Sequence, residues 1–133
     1  MKIAIVLDEG LEAGLAANAA AALALSLSGR IGDVNGPDVS DGGGSVHPGI
    51  LRLPIPVLRA DGPGLSLLRE RASGVAGLGV LDFTDLAQAS RSYADYEAAL
   101  SRASSTEFAY RGLCLYGDDR AVARLTGSLP LFR

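Results

Sequence analysis

At 133 residues, 48 % of them hydrophobic, the chain is long enough to bury one core, and its composition excludes disorder over most of its length. The net charge is −3, the pI is near 5.0, and the twelve basic residues are scattered, so the basic stripe of a protein that grips phosphate backbones is missing and nucleic acid is not an expected partner. The single cysteine, Cys114, excludes an internal disulfide, and nothing argues for an oxidising compartment.

The first segment, Lys2–Leu7, is a continuous apolar, β-branched run and predicts a strand covered on both faces. Leu11–Leu27 follows as a helix rich in Ala and Leu. It is apolar nearly all round, which predicts burial by more than one neighbour, a second subunit among the candidates. Asp8, Glu9 and Glu12 interrupt the apolar run in a way a signal peptide does not, and Ala13–Leu27 is short for a membrane span. No membrane association and a cytoplasmic location are therefore expected.

The stretch from Gly29 to Gly49 is rich in glycine and reads as a loop insertion within a single domain spanning 1–133. Pro54 and Pro56 hold the next apolar segment out of a central ladder until Val57–Ala60, the second predicted strand. Gly64–Ser73 is an amphipathic helix with Leu65, Leu68 and Ala72 on its apolar face. Val75–Phe83 predicts a third strand, and Asp85–Ala103 is helical in parts. Phe108–Tyr116 predicts the fourth strand. Asp118 is placed to cap a helix over Arg120–Thr126, which Gly127 ends. Strands alternating with helices predict an α/β fold with helices on both faces of the sheet.

Several residues are candidates for chemistry. His47 is the only histidine, and a neutral imidazole is the natural general base near pH 7. Asp82 ends a buried strand, the place where ligands sit in α/β sheets. Thr84 beside it is a candidate ligand contact or a helix N-cap. Asn18, the only amide in an apolar helix, is expected either to bond internally or to face a cleft. Asp8 ends the first strand and, with Glu9, is a candidate for ligand binding. With one His and no paired Cys, no metal site is expected. No cofactor is expected either: neither Gly62-Pro63-Gly64 nor Gly42–Gly44 leads into the Lys-Ser/Thr of a phosphate loop.

The two ends of the chain carry a resemblance. Leu11–Ala20 (LEAGLAANAA) after the first strand resembles the opening of the type-2 peptidyl-tRNA hydrolases, and Gly112–Phe132 resembles that family's final strand, helix and Thr-Gly-x-Leu tail. The strand ending at Asp82 is similar to the family strand that ends in an active-site Asp. Over its whole length the chain also resembles a family of uncharacterised bacterial proteins assigned to the same fold, through Ile3–Asn18 and through His47–Ile50 running into Leu53–Leu58. The resemblance implies a three-layer α/β/α sandwich around a four-stranded mixed sheet, and a homodimer. In the hydrolases the first turn and helix carry several Lys and a His; here Gly14–Ala22 has neither, and Ala21 stands in the place of the His. The resemblance therefore implies the scaffold without the hydrolase's acid–base group. It leaves a cleft that binds a small ligand or a partner, or as the alternative a hydrolase of peptidyl- or aminoacyl-tRNA or of another small ester or amide.

Overall fold

The computed structural model describes residues 1–133. Strand β1 (Lys2–Asp8) leads into helix α1 (Ala13–Ser28). Two short strands, β2 (Val39–Ser40) and β3 (Val46–His47), precede β4 (Val57–Ala60) and α2 (Gly62–Ala72). Then come β5 (Leu78–Thr84), α3 (Asp85–Ala89), α4 (Tyr93–Ser101), β6 (Tyr110–Gly117) and α5 (Asp119–Thr126).

The main sheet has the order β4-β1-β6-β5. β1 and β4 are parallel, while β6 runs antiparallel to both β1 and β5, so the sheet is mixed. The two central strands are the most apolar, and Ile3–Leu7 and Leu113–Leu115 are buried to within 1 % of full enclosure. Alternation along each strand divides the core. Ala4, Val6, Leu113 and Leu115 point to the face where α2 supplies Leu65, Leu68 and Ala72 and α5 supplies Val122. Ile3, Ile5, Leu7 and Cys114 point to the opposite face, where α1 supplies Ala16, Ala19, Leu23 and Leu27. Burial pushes the Cys114 thiol up to about 12.

Local chemistry sets the element ends. Asp61 accepts from Gly64 N–H to start α2, and Pro63 follows at a position with no helical N–H to lose. Asp118 accepts from Ala121 N–H, and α5 stops at Gly127. β5 begins at Leu78 rather than Val75, because Gly74 and Gly77 take positive φ and turn the chain there.

Within one chain α1 buries only its sheet-facing residues, and Leu25 on the other side is 77 % exposed. One expectation needs correction. The Gly29–Gly49 segment is not a plain loop. Val39 pairs with His47 and Ser40 with Val46 across a turn in which Asp41 Oδ1 accepts from the N–H groups of Gly43 and Ser45. A further bridge joins Asn35 to Leu51. The Asp side chain organises this glycine-rich turn.

Candidate functional site

β5 lies at one edge of the sheet, and its C-terminal half forms the floor of a pocket of about 590 Å³. Leu81, Asp82 and Phe83 supply the floor. α1 and the turn after it supply one wall through Ala22, Leu23, Ser26 and Arg30; the turn between α3 and α4, with Ser90 and Arg91, and the start of α4, with Tyr93 and Tyr96, supply the other. The volume suits a small molecule.

The pocket's charges are unequal in availability. Asp82 is spent: Arg69 of α2 donates from Nε to its Oδ2 at 3.1 Å. Arg30 and Arg91 form no ion pair and no side-chain hydrogen bond within the chain, although the structure contains five ion pairs. Two hydroxyls are occupied, Ser90 donating to Leu86 O and Ser92 accepting from Asp95 N–H as the cap of α4. Tyr93 and Tyr96 stand edge to face with ring centres 5.6 Å apart. Burial first, then the Asp82 and Tyr93 charges, raises the Tyr96 pKa above its ordinary value. The pocket thus offers two free guanidinium groups and an aromatic wall. A guanidinium fork matches carboxylate and phosphate geometry and also stacks on flat rings.

Of the residues singled out in the sequence, only Asp82 lines this pocket. His47 lines another, of about 710 Å³, between the β2–β3 hairpin and Gly49–Arg52. Its Nε2 donates to Asp41 Oδ2 at 2.8 Å, and both side chains are exposed. Hydrogen bonds from His47, Ser45 and Gly43 hold the Asp41 carboxyl below its usual range. Asn18 is exposed on α1, its side chain makes no hydrogen bond and it lines neither pocket, so neither the internal bond nor the cleft position expected of it is present. Thr84 is 1 % exposed and caps α3, its Oγ1 accepting from Ala87 N–H at 3.2 Å. Asp8 accepts from Gly10 N–H with Oδ1 and from Arg111 Nη1 with Oδ2 at 3.2 Å. Glu9 beside it pairs with Arg59 at 3.5 Å. A β-bulge opposite Phe83 and Thr84 places Arg111 at this end of the sheet. No three His, Cys, Asp or Glu side chains gather as metal ligands.

Sequence reading missed Arg30, Arg91, Tyr93 and Tyr96. Tyr93 and Tyr96 stand three positions apart, a spacing that signals helix packing and nothing more. The arginines stand 61 positions apart, and only the fold brings them to one pocket.

Comparison with known proteins gives a family and a fold. The family model described as protein of unknown function (DUF2000) matches residues 1–133. The solved structure of Atu0240, a protein of unknown function from Agrobacterium tumefaciens strain C58, is similar at a TM-score of 0.86 and 23 % identity. The match covers 99 % of this chain and 97 % of that one, and at this identity the likeness is one of fold. No curated protein matches the chain.

Proposed function

The chain belongs to the DUF2000 family of unknown function, and from that premise and the pocket's chemistry we propose that it binds a small anionic molecule at the β5 edge. The observation that carries this reading is the pair Arg30 and Arg91, both without an ion pair inside the chain, lining one pocket with Tyr93 and Tyr96. A planar carboxylate or phosphate-bearing ligand suits two forks beside an aromatic wall. Asp82, neutralised by Arg69, adds little repulsion.

The scaffold in this reading is a single domain of the type-2 peptidyl-tRNA hydrolase kind, acting in the cytoplasm as a homodimer. The mixed four-stranded sheet with α1 on one face and α2 and α5 on the other supports the fold assignment. No helix is long and apolar enough to cross a membrane. Hydrolysis is the less favoured reading. A general base must reach the proton it abstracts, yet His47 and Asp82 line different pockets, and Asp41 and Arg69 already occupy them.

Thermal melts and calorimetry with inorganic phosphate, citrate, benzoate and nucleoside monophosphates test the reading. A ligand at a hundred times its Kd stabilises the folded state by about 2.7 kcal/mol, a shift easily seen in a melt. At least one probe should raise the melting temperature, and Arg30→Ala with Arg91→Ala should abolish the rise. If no anion stabilises the protein, or if the double variant responds like the parent, the reading fails.

A further inference from the structure

The backbone hydrogen bonds of the sheet leave one edge open. β1 directs its odd residues to β4, as Ile5 N–H donates to Pro56 O and Glu9 N–H to Ala60 O. Its even residues therefore face β6, where Val6 stands opposite Leu113. The alternation carries across β6, so Cys114 and Tyr116 bond β5 at Leu81 and Gly79. Asp118 N–H donating to Gly77 O continues the same series. Val80 and Asp82 consequently direct their N–H and C=O groups away from the sheet, and no group of the chain bonds them.

The opposite edge is treated differently. There the C-terminal tail lies along β4: Arg59 N–H donates to Pro130 O, Phe132 N–H donates to Val57 O, and Leu131 bridges Leu58. An open edge is commonly blunted by charge, proline or brevity. β5 has seven residues, no Pro, Lys or Arg, and its one acid is neutralised by Arg69.

We propose that the β5 edge pairs antiparallel with the β5 edge of a second copy of this chain, about a two-fold axis at Leu81. This deepens the homodimer of the preceding reading by assigning its interface. The register follows from the open groups. Pairing Val80 with Asp82 of the second copy uses the N–H and C=O of both residues from both chains. A register centred on Asp82 sets two carboxylates opposite each other, and one centred on Val80 calls on Leu78, whose N–H already donates to Val75 O. In the favoured register no like charges face across the ladder.

The surroundings fit the same occupant. α1 carries no charged residue from Ala13 to Ser28, so its open face meets its counterpart without repulsion. Tyr93, 76 % exposed, lines the pocket beside the strand and gains cover from a second copy. Arg30 and Arg91 are the opposing element, since the axis brings their counterparts near. That repulsion is screened by salt.

Light scattering on the full chain, at physiological and at high salt, tests the proposal. The parent should have twice the chain mass of 13.6 kDa. Val80→Pro removes one outward N–H without touching the β5–β6 ladder and should give the single-chain mass with an unchanged circular dichroism spectrum. Tyr93→Glu, beside the strand, should weaken association and serves if the proline variant does not fold. Amide exchange at Val80 and Asp82 should be slow in the dimer and fast on dilution to monomer. A parent that is monomeric at both salt levels overturns both the dimer and its interface. A parent dimer with freely exchanging Val80 and Asp82 amides, or one that survives folded Val80→Pro, overturns the interface alone.

Discussion

Asp82 of β5 and Arg69 of α2 meet at 3.1 Å, and this contact joins the floor of the pocket to the helix on the far face of the sheet. Both side chains are about three-quarters covered, at 26 % and 30 % exposure. A double-mutant cycle with Asp82→Asn and Arg69→Met should return a coupling of about 0.5–1 kcal/mol, near the upper end for partly exposed pairs. A coupling indistinguishable from zero in urea denaturation would show that solvent competes the contact away.

The Asp82 charge also reaches two tyrosines. Burial first, and then the Asp82 charge, raises the pKa of Tyr96 and of Tyr110; Arg69 partly offsets the rise at Tyr110. A raised pKa means that the folded state disfavours the phenolate. The associated stability is complete below the ordinary value of 10.0 and is lost as pH rises through the folded values above it. Ultraviolet titration should show Tyr96 and Tyr110 ionising above the ordinary value, with the melting temperature falling in the same alkaline window. Asp82→Asn should move both transitions down, whereas Arg69→Met should move Tyr110 up and leave Tyr96 in place. Equal movement of both tyrosines in Arg69→Met would contradict this arrangement.

Thr84 separates a structural from a functional role. Its hydroxyl is buried and caps α3, so Thr84→Ala should cost about 1 kcal/mol, within the usual 0.5–2 for a lost N-cap. Thr84→Ser keeps the oxygen and should recover most of that cost. Chemical denaturation measures both. If Thr84→Ala leaves stability untouched but abolishes binding of an anion at the pocket, the hydroxyl is a ligand contact instead.

The scaffold was legible because its signals are local. Continuous apolar runs marked β1 and β6, Leu65, Leu68 and Ala72 marked the buried face of α2, and Asp118 with Gly127 bracketed α5. Asn18 misled for a physical reason. An amide among alanines reads as a buried group in need of a partner, yet α1 leaves that face open to solvent. His47 and Asp82 line different pockets because the hairpin turn built on Asp41 carries His47 away, and no local pattern says which pocket a glycine-rich loop lines. The pocket's arginines had no signal at all, since neither belongs to a motif and their meeting depends on the edge position of β5.

Glycine at the sheet end supplies a last test. Gly117 closes β6 with φ at +128°, and a Cβ placed there overlaps the Gly77 carbonyl oxygen, the group that accepts from Asp118 N–H. Gly44 in the hairpin turn also has positive φ, at +89°, but a Cβ there meets open space. Alanine at Gly44 therefore bears only the conformational cost, about 1 kcal/mol. Alanine at Gly117 adds a backbone collision that no side-chain rotation relieves, and the sum should reach about 2–4 kcal/mol. Because Gly77 and Asp118 register β5 against β6, the Gly117→Ala variant should also speed amide exchange along β5, while Gly44→Ala should leave β5 unchanged. Equal destabilisation by the two substitutions, or an unaffected β5 in Gly117→Ala, would mean that this contact does not set the register of the edge strand.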